Sequence, residues 1–238
     1  MDGNLLLAQL PATERKRLSS HLETVPLQEG QRLFDAGDTV RYAWFPASGL
    51  ISLRGASVDG GSVEFAMIAA DGVVGLPLMR RGACASHLAV VQVAGAAARI
   101  DARALASATQ QCAVFHDALQ SYGCHVLTAV SQAVVCHNFH NVLQRLCRWL
   151  LAATDRLQTD RLELTHDTLG EVLGVPRQTV SAAAVELQDA QAIRSRRGRI
   201  AILNRRRLEM SACECYDVLR GVDHQSSSRP EKTVGSAR

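Results

Sequence analysis

The sequence predicts an α+β fold in three parts: a small all-β unit, one long helix, and a compact helical unit closed by a β-hairpin. Three observations predict it. Glycine-centred turns punctuate short apolar runs between Val25 and Ile100. A stretch of helical spacing follows, with no Asp, Glu, Lys or Arg from Ala118 to Gln144. Two short amphipathic segments and an arginine-rich hairpin pattern then occupy Leu164 to Leu203. With 238 residues and a net charge of +3, the chain is long enough for one or two domains with cores of their own.

The elements follow in order. Leu10, Leu18 and Leu22 among charged neighbours make an N-terminal helical stretch. Turns at Glu29-Gly30, Gly37-Asp38, Ser48-Gly49, Asp59-Gly60-Gly61 and Asp71-Gly72 separate strand-like runs at Gln31–Phe34, Tyr42–Phe45, Leu50–Arg54, Val63–Ile68 and Leu88–Val93. Short strands at this spacing predict a β-sandwich or barrel, and Asp59-Gly60-Gly61 a hairpin. Asp101 is an N-cap for a helix over Ala102–Ser107. The long helix is expected over about Ala113 to Asn141, with Leu119, Gly123, Val126, Val130, Ala133 and His137 as the seam of a homodimer. Leu127 and Val134 widen that stripe. A further helix covers about Leu143 to Leu157. This divides the chain into a β domain (1–110), a long helix and connector (111–157), a C-terminal domain (158–221) and a disordered tail (222–238).

Composition excludes a disordered chain, a collagen-like fibre and a disulfide scaffold. The N-terminus offers no basic and apolar leader, and Gln120, His125 and Asn138 make the uncharged stretch too polar to span a membrane. A cytoplasmic protein with reduced thiols and no membrane partner is expected. Lys16 and Lys232 are the only lysines, so arginine supplies nearly all the positive charge.

The segment from Leu164 to Ile193 carries the function. Thr165 caps a helix from His166 to Leu173, Gly174 ends it, and Pro176 opens a second helix running to about Ala190. Leu169, Val172 and Leu173 face Val180, Ala184 and Leu187. Two short helices on a tight glycine turn form a helix-turn-helix, whose second helix enters the DNA major groove. Candidate DNA contacts are therefore Thr165, Arg177, Gln178, Thr179 and Ser181. Behind them, Ile193 to Leu203 reads as a hairpin with Arg-Gly at its tip, making the unit a winged helix. Arg196, Arg197 and Arg199 on the wing are candidate phosphate contacts, in a stretch from Arg194 to Arg207 that holds no acid.

This order of parts resembles the Crp/Fnr family of bacterial transcription regulators, which includes the catabolite activator protein and the fumarate–nitrate reduction regulator. The resemblance covers about Leu5 to Arg220 and is strongest at Gly174-Val175-Pro176-Arg177-Gln178-Thr179-Val180. It implies an N-terminal cyclic-nucleotide-binding-like β-roll, a long dimerisation helix and a C-terminal winged helix-turn-helix. It also implies a homodimer on palindromic double-stranded DNA operators, RNA polymerase as a further partner, and no enzymatic activity. It places Arg177 and Gln178 at base-reading positions and Thr179 near a phosphate. An arginine base reader of the family is matched by Ala182, and an acidic one by Gln178, so the operator differs from those of the two named relatives.

Cyclic-nucleotide binders of this family carry Gly-Glu-x-x-Gly-Glu and then Arg-Ser/Thr-Ala. The matching stretches are Gly72-Val73-Val74-Gly75-Leu76-Pro77 and Ala85-Ser86-His87, without the glutamates or the arginine. Cyclic AMP is therefore not the expected effector, although Arg80 or Arg81 could replace the missing cation; effector and cofactor stay unknown. The family's iron–sulfur regulator needs an N-terminal cysteine cluster, and the first cysteine here is Cys84. Cys112/His116 and Cys136/His140 are i, i+4 pairs, each on one helix face; two such pairs could build a metal or haem site across a dimer, but they are read as packing and capping groups. Cys213 and Cys215 are expected on opposite sides of a helix, so no metal site is expected. Two other classes stay open: a ligand-binding module acting on a protein partner through its basic end, and a cupin-type metalloenzyme. The latter is poorly served by a β region with His87 as its one histidine.

Overall fold

The computed structural model describes residues 3–76 and 84–227, with side chains described as far as Gly221. Arg80 and Arg81 lie outside the described residues. Two short helices, α1 (Leu5–Ala8) and α2 (Ala12–Ser19), precede strands β1 (Glu23–Leu27), β2 (Arg32–Phe34), β3 (Tyr42–Ala56), β4 (Ser62–Ile68) and β5 (Leu88–Asp101). The strands form one antiparallel sheet in the order β1-β5-β3-β4, with β2 pairing beside β1 on the same edge of β5. Buried Asn4 donates to the carbonyls of Pro46 and Gly72 and holds the N-terminus against this β-roll.

The two runs expected around Ser48-Gly49 are one long strand. Gly49 has φ +83°, and the β3–β5 register shifts around it. A Cβ there would lie 2.6 Å from the Val93 carbonyl oxygen, and one on Gly95 would lie 2.3 Å from that of Ser48. The glycine that reads as a turn is a bulge that bends two paired strands together. The Asp59-Gly60-Gly61 hairpin does join β3 to β4.

Asp101 caps α3 (Ala102–Gln111), accepting from the N–H groups of Arg103 and Ala104. Then come α4 (Ala113–Phe139) and α5 (Val142–Leu157). The long helix stops short of Asn141, because Asn141 and Gln144 form a capping box that starts α5. The C-terminal unit contains β6 (Arg161–Glu163), α6 (His166–Leu173), α7 (Arg177–Asp189), β7 (Ile193–Arg196), β8 (Arg199–Ile202), α8 (Arg205–Ser211) and α9 (Cys215–Ser227). Helix α9 carries regular backbone to Ser227, so 222–227, read as tail, are helical; their moderate polarity hides a helix that begins against α4 and α5. Residues 228–238 lie outside the described residues.

Two cores organise the chain. One fills the roll, where Phe45, Ile51, Ile68 and Ile100 meet Phe115, Leu119 and Tyr122 of α4. The other joins Leu50 of β3 and Ala69, just past β4, to Trp149 and Leu150 of α5 and to the buried faces of α6 and α7.

The first core corrects the expected seam. Leu119 is 1% exposed, Ala133 is buried, and Val126 packs against the roll core, so these three face their own chain. His137 is also drawn inward, onto the Glu64 carbonyl and the Arg145 guanidinium. Leu127 is instead 65% exposed and Val134 60%. Helix α4 carries more than one apolar stripe, so its spacing fits two of them and the sequence does not say which one the roll takes.

Candidate nucleic-acid interface

The reading unit is built from short-range chemistry. The Thr165 hydroxyl accepts from the Thr168 N–H, 3.1 Å away, and starts α6. Gly174 ends α6 at φ +64°, in the left-handed region where a side chain is strained. The Val175 N–H then closes onto the Gly170 carbonyl at 3.0 Å. A Cβ on Gly170 would lie 2.8 Å from the Val175 oxygen, so the tight turn needs glycine there too. Pro176 directs the chain into α7, which buries Val180, Ala184 and Leu187.

This leaves Arg177, Gln178 and Thr179 exposed on the first turn of α7. Thr165 is exposed beside them, and its methyl would contact a Cβ on Gly198 at the wing tip. The wing is a two-residue hairpin: Arg197 has φ +49° and Gly198 φ +74°, both positive as a type I′ turn requires. Arg196, Arg197 and Arg199 are exposed around it. Arg177 pairs with Asp167 at 3.1 Å and Arg199 with Glu163 at 3.2 Å. All four side chains are exposed, so these pairs are weak and yield readily to phosphate.

Other residues of the expected site are used differently. Ser181 is half-buried and its hydroxyl meets His166 Nδ1 at 2.9 Å, while His166 Nε2 meets the Ser195 hydroxyl at 2.9 Å. His166 thus ties α6, α7 and the wing together. Burial and then the Arg177 charge hold its imidazole below the ordinary value, so it is neutral near pH 7. The sequence gives no sign of this, because Ser195 is 29 positions away. Two arginines of the basic stretch are engaged within the chain. Arg205 holds Asp155, Glu209 and the Tyr216 hydroxyl, and Arg207 caps the Ala190 carbonyl.

The comparisons agree with this geometry. The model of the Crp-like helix-turn-helix domain matches residues 144–211. Among solved structures, a putative transcriptional regulator of the crp/fnr family from Eubacterium rectale superposes with TM-score 0.70 at 18% identity, covering 88% of this chain and 98% of that one. FixK2 from Bradyrhizobium japonicum gives 0.69 at 17%, covering 81% and 98%. The c-di-GMP-responsive global regulator CLP of Xanthomonas campestris gives 0.68 at 15%, covering 81% and 99%. No curated protein matches the sequence. Residues 144–211 form a Crp-like helix-turn-helix domain, and the chain has the fold of the Crp/Fnr regulators. Two of these neighbours, from Eubacterium rectale and Xanthomonas campestris, are named as regulators. No helix among its described residues is long and apolar enough to cross a membrane.

The β-roll and the helix-turn-helix unit are in direct contact. Buried Arg54 donates to the Ser52 hydroxyl at 3.0 Å, to Gln92 Oε1, and to Glu171 Oε2 of α6 at 2.6 Å. Glu64, on the adjoining strand, accepts from Trp149 Nε1 at 2.7 Å and from the Ser52 hydroxyl at 2.5 Å. Burial pushes the Glu64 carboxyl upward, and these donors with Arg148 and Arg54 oppose the shift. The α6–α7 turn rests on the same strand, since a Cβ on Gly174 would meet Val63 at 3.2 Å.

The space between β4 and α4 is small. It measures about 40 Å³, lined by Glu64, Phe65, Met67, Tyr122, His125 and Val126 among others. Tyr122 presses against Gly72, where a Cβ would lie 1.9 Å from its hydroxyl oxygen. A cleft of about 580 Å³ opens instead beside Asp71, Arg148, Arg156, Tyr216 and Arg220. The cysteines correct an expectation as well. Cys213 lies in the turn before α9 and Cys215 is its first residue, so helical spacing does not apply between them, and both sulfurs face Cys136 and His140. Cys112, by contrast, packs in the roll core.

Proposed function

We propose that the regulator binds inverted-repeat operators in the cytoplasm as a homodimer, with RNA polymerase as a further partner, and that a signal other than cyclic AMP acts through its β-roll. One observation carries the reading: α7 presents Arg177, Gln178 and Thr179 to solvent at its N-terminus, next to a wing of exposed arginines. A helix N-terminus so armed fits the major groove, where arginine pairs with guanine and glutamine with adenine. Thr165 and the wing arginines meet phosphates on either side; Ser181 supports the helix through His166.

Gly123, Leu127, Val130 and Val134 support the dimer. They recur at 4-3-4 spacing on the outward side of α4, half-exposed or exposed, with open space beside Gly123. A second copy crossing there would cover this stripe and set half-site centres ~34–36 Å apart. The filled space beneath α4 supports the effector reading, because about 40 Å³ holds a few waters and no nucleotide.

The test is a binding series with single-base operator variants at two salt concentrations. Arg177→Ala and Gln178→Ala should each flatten preference at one base position per half-site, by about 1–3 kcal/mol. Arg197→Ala should weaken specific and random DNA equally and lower the salt slope by about one unit. Full base preference in Arg177→Ala, with its loss in Arg197→Ala, would reverse the roles of helix and wing.

A further inference from the structure

Four metal-ligating side chains meet at the C-terminal end of α4. Cys136 and His140 stand one turn apart there; Cys213 and Cys215 arrive from the α8–α9 turn. Their ligand atoms all lie within 4.8 Å of one another. Cys136 Sγ is 3.6 Å from Cys213 Sγ, and Cys215 Sγ is 3.5 Å from His140 Nδ1. The three cysteines are buried and form a small cluster of their own, apart from both main cores. We propose that Cys136, His140, Cys213 and Cys215 bind one zinc-class divalent cation, which staples the end of the reading domain to the long helix.

The spacing matches such an ion. Bonds of about 2.3 Å to sulfur and about 2.0–2.1 Å to nitrogen in a tetrahedron set S···S edges of about 3.8 Å and S···N edges of about 3.6 Å. The Cys136–Cys213 and Cys215–His140 edges fall within 0.2 Å of these values. A two-iron cluster holds its ligands in two pairs at opposite ends, a wider arrangement than a set confined within 4.8 Å.

The surroundings fit as well. His140 points Nδ1 into the cluster while its Nε2 lies 3.1 Å from the Glu214 carboxylate. A carboxylate on the far ring nitrogen fixes the tautomer that leaves Nδ1 free to ligate. Gln132 Nε2 donates to Cys215 Sγ at 3.0 Å and orients it. All four ligands fall outside residues 144–211, two before and two after, so the site is not part of the matched helix-turn-helix domain. Each thiol would bind as a thiolate, so loading releases protons and affinity rises with pH. The bound ion would tie together the two ends of the segment that carries α5 to α8.

The experiment uses the full-length regulator purified without chelator. Elemental analysis should find one zinc-class ion per chain. Exchange with Co²⁺ should give the thiolate charge-transfer and ligand-field bands of a tetrahedral site. Cys213→Ser and Cys215→Ser should each lose those bands while keeping helical circular dichroism. The exposed-thiol variants Cys84→Ser and Cys124→Ser should keep them. Glu214→Gln leaves every ligand in place and should weaken metal affinity by about 10- to 100-fold. An unchanged cobalt spectrum in Cys213→Ser would overturn the proposal. So would metal-free protein with a Cys136–Cys213 disulfide by mass spectrometry, or the absorption of an iron–sulfur cluster.

Discussion

Helices α4 and α7 each carry two working faces, and they differ in how the second face is marked. In α7 the buried face is Val180, Ala184 and Leu187, and the free face opens with Arg177, Gln178 and Thr179. Polarity alone says which side meets the core. In α4 the inward stripe of Leu119, Val126 and Ala133 and the outward stripe of Gly123, Leu127, Val130 and Val134 are equally apolar. The exposed polar residues Ser121, Thr128, Ser131 and Asn138 mark one side of the helix but do not tell which of the two apolar stripes faces the roll. Amphipathicity reveals one partner; with two partners it reveals none.

The largest expected effects separate the two faces of α4. Leu127→Glu with Val134→Glu sets charges against their symmetry mates on the outward stripe. The variant should sediment as a folded monomer and lose about 10²–10⁴-fold in operator affinity, as two half-sites cease to be read as one. Leu119→Ala should do the reverse: the dimer persists and stability falls by about 2–5 kcal/mol through the cavity left in the roll core. Monomers from the inward substitution and dimers from the outward one would interchange the two stripes.

The reader was legible because its signals are local. Thr165, Gly174 and Pro176 act on their immediate neighbours, and each caps or turns the chain as the sequence reads. The β-roll was legible as a set of strands but not as continuous ones, because the φ > 0 that suits a glycine turn also suits the bulges at Gly49. The Cys136/His140 pair was visible, but its other half is 77 positions away from Cys136 in the chain. Helical spacing misjudged Cys213 and Cys215 because a turn lies between them. The contact between the β-roll and α6 was equally hidden, since Arg54 and Glu171 are 117 positions apart and no sequence pattern links them.

That contact gives the next effect in size. Arg54 is buried and serves Ser52, Gln92 and Glu171, whereas the Glu171 side chain is 62% exposed. Arg54→Ala leaves buried acceptors unpaired and should cost about 1–3 kcal/mol of stability. Glu171→Gln breaks only a solvated ion pair and should cost under about 1 kcal/mol. Denaturant midpoints of the two variants measure the difference. Equal costs would make the Arg54–Glu171 pair, rather than the network behind it, the bond between α6 and the sheet.

The smallest effect tests what keeps the free face of α7 aligned with the wing. His166 bonds to Ser181 on one side and Ser195 on the other, and burial with the nearby Arg177 charge depresses its titration below the ordinary value of 6.5. In the unfolded chain the imidazole takes up a proton as pH falls through that value; in the folded chain it does so only at lower pH. Between the two the unfolded state binds more protons, so stability rises with pH there, is complete above the ordinary value, and declines below it. His87 and His137 are depressed in the same direction and add to the slope. The measurement therefore compares wild type with His166→Gln, in denaturant midpoints taken across and below the ordinary value. The variant should show a shallower decline, because one group has been removed from the titration. Wild-type operator affinity should hold over the same window, since a protonated His166 donates from both ring nitrogens and either serine hydroxyl can accept. An identical slope in His166→Gln would mean that the histidine titrates alike in both states, and that packing alone holds the wing beside the recognition helix.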